Sequence, residues 1–221
     1  MDKARLREAR IAIRVGTLAG AASPILFAFV VTIVTIHERS FLRSSGWDAI
    51  KRTAVEWPSL LALGDLGWLV VATFIICGVL GILFSSALYR SASSVVGKTC
   101  AALLAVMSGA LALEAFRADS PSRTQGESWH ASIHNVVYPS IPVSALGAAV
   151  LIVVAAGRER FATRTFRLAT TALLAFMVVG IALTWIASVA QFGRYVFFGA
   201  LLIWYELLAI TLLHTKPSDL P

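Results

Sequence analysis

Apolar residues fall in six long blocks, at about 15–36, 67–89, 98–116, 134–156, 168–190 and 194–214, separated by short polar or basic segments. A helix needs ~20 mostly apolar residues to cross the hydrocarbon core of a bilayer. Each block predicts one such helix, and together they predict an all-α fold, a six-transmembrane-helix bundle. The fifth and sixth blocks are joined by a very short turn around Gln191–Gly193, which makes them an antiparallel hairpin. The first block is too long for the apolar core of a signal peptide and is followed by no small-residue cleavage site, so it reads as a retained helix. No polar segment is long enough for a second globular unit, and residues 1–221 read as a single integral membrane domain.

The connection between the first two blocks runs to about 30 residues, long for a bundle. Within it Trp47, Ile50, Ala54 and Trp57 recur at helical spacing, with Asp48, Lys51, Arg52 and Glu56 on the other faces. This predicts a short amphipathic helix on the outer membrane surface, its tryptophans at headgroup depth. The alternative is a lid folded over the bundle mouth. Prolines predict distortions: Pro24 in the first spanning helix, Pro139 and Pro142 in the fourth. Each removes a backbone hydrogen bond and frees a carbonyl, and such sites line cavities or serve packing.

Composition agrees with the pattern. Hydrophobic residues make up 58% and charged residues 14%, at a mean hydropathy of +0.80; soluble domains carry about 25% charged residues. The net charge of +7 does not point to nucleic acid, because the basic residues cluster between apolar blocks. Lys3, Arg5, Arg7, Arg10 and Arg14 precede the first block. Arg90 and Lys98 lie in the second connection, and Arg158, Arg160, Arg164 and Arg167 in the fourth. By the positive-inside rule that side is cytoplasmic, with both termini on it, in a multi-pass protein of the plasma membrane. Cys77 and Cys100 fall inside or at the edge of apolar blocks and read as small packing residues.

The candidate chemistry then collects on the outer side. "ESWHASIHNVVYP" places His130 and His134 four apart at the start of the fourth helix. Residues i and i+4 share a helix face, so the pair can offer two imidazole nitrogens to one divalent metal. A tetrahedral zinc site needs a third protein ligand, with water in the fourth position. Asp119 is the first choice, and His37 and Glu114 are second choices. The other readings are proton or ligand binding without metal, and anchoring of the helix alone. Asp119 pairing with Arg194 or Arg117, and His130 capping the helix, belong to that last reading. Glu114, near the outer end of the third helix, is expected to reach water. Glu206 lies well inside the sixth helix, where a charge costs at least ~2.5 kcal/mol; it is expected to face the bundle or carry a proton. Haem is discounted, since two imidazoles on one helix face cannot flank a porphyrin.

"WPSLLALGDLGWLVVATFIICGVLGILF" resembles the second-helix signature of the bacterial multi-pass membrane family known as domain of unknown function 998, through Ser59, Leu61, Gly64, Gly67, Trp68, Phe74 and Gly78. "FRADSPSRTQGESWHASIH" resembles the family's Phe-x-x-Asp-Pro stretch with its His-x-x-x-His pair, here Phe116, Asp119, His130 and His134, the proline displaced by one to Pro121. "QFGRYVFFGALLIWYELLAI" is similar to its final helix, with Gln191 and Arg194. The resemblance implies a fold and a topology, and no activity. With Ser59, the residue types are also similar to the Ser/Asp/three-His zinc site of membrane hydrolases such as alkaline ceramidases, although motif order and helix number differ. That likeness implies a metal-activated water attacking an amide or ester of a lipid-like substrate, with Ser59 and Glu114 as the catalytic candidates. The alternatives are a transporter or small-ligand-binding membrane protein, for which Glu206 matters more, and a structural or interaction protein.

Overall fold

In the computed structural model, residues 3–51, 57–120, 124, 126–155, 158–159 and 161–215 are described. The helices are α1 (Lys3–His37), α2 (Arg39–Ser44), α3 (Gly67–Ser91), α4 (Val95–Leu113), α5 (Trp129–Val137), α6 (Ser140–Ala155), α7 (Arg164–Thr184) and α8 (Ala190–His214), with a 3-10 turn at Ser59–Leu63. Among the described residues, six stretches are long and apolar enough to cross a membrane: Arg7–His37, Gly67–Ser91, Val95–Leu113, Trp129–Val154, Arg164–Thr184 and Ala190–His214. The chain is therefore an all-α bundle of six spanning helices, as the apolar blocks predict.

Each spanning helix packs on the next, and α8 returns to α1, so the six close into a ring. Apolar side chains fill it in two clusters. One gathers Leu88, Cys100, Leu104, Ile152, Trp204 and Leu208 and runs from the end carrying the basic connections as far as Ala110, Ile141 and Phe197. The other gathers Phe27, Val34, Leu42, Leu61, Val70 and Phe74 at the opposite end. Both cysteines are free and buried.

The prolines act differently from one another. Pro24 sits inside α1 without ending it. The fourth span breaks at Tyr138–Pro139, between α5 and α6. Pro142 falls in the first turn of α6, where a missing N–H costs nothing. A cavity of about 50 Å³ lies between these sites, lined by Ser23, Pro24, Phe27, Cys77 and Ile141 among others. Pro24 itself and Ile141, two residues after Pro139, thus border the same internal space.

Two connections differ from expectation. Trp185–Val189 forms the last turn, so Gln191, Gly193 and Arg194 lie inside the first turns of α8. The reason is that α8 gains its cap from elsewhere: the Ile50 carbonyl accepts the N–H groups of Gln191 at 2.9 Å and Phe192 at 3.3 Å. The same contact bears on the first loop. Residues 46–51 there are turns and bends, and 52–56, which carry much of the expected amphipathic helix, lie outside the described residues. Asp48 accepts the N–H groups of Ile50 and Lys51 at 2.8 Å each. Those bonds, that of Lys51 foremost, hold its carboxyl below the ordinary carboxylate pKa. Trp47 packs on the second apolar cluster. Trp57 stands edge-on to Tyr195 at 4.9 Å and donates to Thr35 Oγ1 at 3.0 Å. The described ends of the loop are docked on the bundle.

Close helix approach rests on small residues, as it must where lipid supplies no hydrophobic drive between helices. A Cβ at Gly180 of α7 would lie 2.5 Å from the backbone nitrogen of Phe197 and 2.8 Å from the Gly193 carbonyl. Backbone cannot move aside as a side chain can. A Cβ at Gly109 would meet nothing within 4 Å. Gly180→Val is expected to destabilise the bundle by about 2 kcal/mol through overpacking, while Gly109→Ala leaves it unchanged or firmer. Thermal unfolding of detergent-purified protein, read by loss of monodisperse material, checks the difference.

Candidate functional site

The end of the bundle holding Trp57 also buries three candidate residues together. Ser59 opens the 3-10 turn, Glu114 is the residue that ends α4, and His134 lies in the last turn of α5. They are 3%, 3% and 5% exposed, so Glu114, expected to reach water, is withdrawn from it. His134 Nε2 lies 3.2 Å from Glu114 Oε2. The Ser59 hydroxyl donates to that same oxygen at 3.4 Å.

The proton inventory follows from the other ring nitrogen. His134 Nδ1 is 3.0 Å from the Phe116 carbonyl. A carbonyl only accepts, so Nδ1 carries a hydrogen. The contact between Nε2 and Oε2 then holds one further proton, whichever of the two atoms bears it. A buried proton shared between a carboxyl and an imidazole is equipment for proton exchange and for gripping a polar group. The order Ser59–Glu114–His134 differs from a nucleophilic triad, in which the imidazole contacts the hydroxyl.

Asp119 and His130 are organised around Ser128 instead. Asp119 Oδ2 accepts the Ser128 N–H at 2.8 Å, and Oδ1 accepts its hydroxyl at 2.7 Å. Ser128 in turn caps α5, accepting the Ala131 N–H at 3.2 Å. His130 Nδ1 lies 2.8 Å from the Arg117 carbonyl and 3.0 Å from Ser128 Oγ. The two histidines therefore fasten α5 to consecutive carbonyls, Phe116 and Arg117, of the strand of chain leaving α4. Among the described residues, no group of three or more His, Cys, Asp or Glu side chains is placed to hold a metal ion. His37 is exposed at the end of α1.

The cavity approaches the polar cluster from below. Leu111, Ile141 and Phe198 line it. Glu114 stands one turn beyond Leu111, His134 two turns before Ile141, and Arg194 one turn before Phe198, all toward the same end. Arg194 is 5% exposed and donates from Nη1 to Gln191 Oε1 at 2.8 Å. Trp57 also meets Phe198, at 6.2 Å between ring centres. Glu206 is separate, half-buried near the middle of α8, its Oε2 buried with no hydrogen-bond partner among the described residues.

Two buried acids were not singled out by the sequence. Glu38, 4% exposed, accepts the Leu66 N–H at 2.7 Å at the start of α3. Glu159, also 4% exposed, accepts the N–H groups of Ser93 at 2.9 Å and Ser94 at 3.0 Å, and their hydroxyls, at the start of α4. Only Glu159 leaves a trace in the chain, as an acid between Arg158 and Arg160 facing a Ser-Ser helix start.

The fold and its buried polar cluster define a polytopic membrane protein with a polar site at one end of the bundle. The family model described as Protein of unknown function (DUF998) matches residues 21–213, and the chain belongs to that family. No curated protein and no solved structure matches it.

Ser128→Ala is expected to cost about 1 kcal/mol from the lost cap and to free Asp119 and His130 together. Hydrogen exchange across residues 126–137 checks it: faster exchange there, with α7 unaffected, is the expected pattern.

Proposed function

We propose that the protein binds a lipid-like molecule. Its polar group meets Glu114, His134 and Ser59, and its apolar part enters the cavity bordered by Pro24 and Ile141. The observation that carries this reading is the buried carboxyl–imidazole contact of 3.2 Å set one turn beyond an apolar cavity. A ligand with both characters satisfies both surroundings at once. Such sites are concave, mostly apolar, and carry a few polar groups that fix orientation. By the distribution of Lys and Arg the site faces outward and both termini are cytoplasmic, in the plasma membrane.

A zinc-dependent hydrolase is the second reading. What favours it is that both histidines donate Nδ1–H to carbonyls, the support that metal-bound imidazoles use, leaving Nε2 as the ligating atom. Asp119 would have to release Ser128 to join them, and Ser59 and Glu114 would flank the bound water.

Single-chain lipids of equal length and different head, a fatty acid, a lysophospholipid and an acyl amide, are the probes for the first reading. Saturable quenching of tryptophan fluorescence by one of them is expected. Glu114→Gln, His134→Ala and the cavity-filling Leu111→Phe should each weaken it by about tenfold or more. Equal affinity in all three variants would defeat the proposal, as would binding by none of the probes. For the second reading, metal content after chelator-free purification decides. Near-stoichiometric zinc lost in His130→Ala and His134→Ala supports it, and zinc-free protein with intact lipid binding removes it.

A further inference from the structure

Two surface grooves flank the last turns of α3, at the end of the bundle opposite Glu114. One, of about 480 Å³, lies between α1 and α3, with Val15, Gly16, Leu83 and Ala87 in its walls. The other, of about 430 Å³, lies between α3 and α4, with Ala101, Ala102 and Ala105. Ser86 and Arg90 line both. The grooves therefore run along opposite flanks of one helix and meet at one guanidinium. Arg90 makes no ion pair and no side-chain hydrogen bond among the described residues. Beside it, Tyr89 lines the α3–α4 groove, and Lys98 Nζ stands 5.6 Å over the Tyr89 ring. Glu8 is the acid among the lining residues, in the α1–α3 groove.

The geometry points to a bound anionic phospholipid, its phosphate held by Arg90 and Lys98 and one acyl chain laid in each groove. The charge is complementary: a guanidinium binds a phosphodiester through two parallel N–H donors, and an ammonium adds a point charge. Basic pockets between spanning helices are where anionic headgroups settle. The apolar part also fits, because Ala102 and Ala105 let a chain lie close to the α4 backbone, and Gly16 brings α1 against Leu83 and Ala87 to form the floor of the other groove. Ser86, exposed between the grooves, turns its hydroxyl hydrogen back to the Ile82 carbonyl at 3.0 Å and so presents a small side chain to both. A zwitterionic lipid with a terminal ammonium gains less here, since its positive end would face two cations. This site is independent of the one holding Glu114 and His134.

Native mass spectrometry of the full chain, purified with mixed phosphatidylglycerol and phosphatidylcholine, tests it. The intact protein is expected to retain phosphatidylglycerol in preference. Arg90→Gln should cut that retention by about tenfold or more, and Ala102→Phe, which fills one groove without changing charge, should do the same. Arg167→Gln, a charge removed at the same end but outside both grooves, should leave it intact. Equal losses in Arg90→Gln and Arg167→Gln would reduce the effect to general surface charge. Unchanged retention in Ala102→Phe, or no lipid preference in the intact protein, overturns the proposal. Ala102→Phe carries the test alone if Arg90→Gln does not survive purification.

Discussion

A helix satisfies its own backbone everywhere except at its ends, and a bilayer offers nothing to bind the N–H groups left over at the start. The bundle is organised by how those groups are met. α4, α5 and α7 use the ordinary device, a side chain immediately before the helix: Ser94 accepts from Gly97, Ser128 from Ala131, and Thr163 from Phe166. α3 and α8, and α4 in addition to its own cap, are met from far along the chain. Glu38 reaches the start of α3, Glu159 the start of α4, and the Ile50 carbonyl the start of α8. Each of these contacts caps a helix and also fixes a connection against the bundle. Hydrogen bonds to a charged group are worth about 1.5–3 kcal/mol each. Glu159, accepting from two backbone and two hydroxyl donors, is therefore a principal tie between the α6–α7 connection and α4.

The same need explains why the polar cluster sits where it does. The Ile50 carbonyl draws the first loop onto α8, and Trp57 packs on Tyr195 and Phe198. Ser59 follows Trp57 by two residues and is thereby placed against Glu114. On the other side, His130 and His134 take hold of the Arg117 and Phe116 carbonyls, which locks α5 against the chain leaving α4. Glu114 lies two residues before Phe116, so the bond that orients the His134 ring also sets its distance from the carboxyl. Capping and site geometry are one construction.

The sequence carries the spanning helices plainly, because each needs only an uninterrupted apolar run. It also carries the placement of Glu114 and His134 at one and the same end of the bundle, since helix position alone determines depth. What it does not carry is which polar groups meet. Spacing puts His130 and His134 on one face and makes Asp119 their natural third partner. In the fold, Ser128 intervenes, because a helix start in need of a cap takes the nearest hydroxyl and the carboxylate follows it. Pro24 and Pro139 look equivalent in the chain, yet only the second breaks a helix. Glu38 looks like a loop acid, since its partner is an N–H group of the kind every residue possesses and no pattern marks, and Glu159 differs only in facing a Ser-Ser helix start. The turn of the last hairpin is misplaced for a related reason: the cap of α8 is a carbonyl about 140 residues away.

The contrast among the buried acids separates structure from function. Glu38 and Glu159 stand at helix starts, where the peptide dipoles favour a negative group, and their oxygens meet backbone N–H. Burial there is offset by position. Glu114 stands at the end of α4, where the dipoles disfavour an anion, and His134 of α5 closes on it. The α4 terminus thus attracts positive charge toward Oε2. A carboxyl needed only to cap or brace would be poorly sited there. A carboxyl that must keep a proton beside an imidazole, and meet a polar group arriving from the cavity below, is well sited. The position of Glu114 relative to its own helix is therefore the strongest physical reason to read this cluster as a working site.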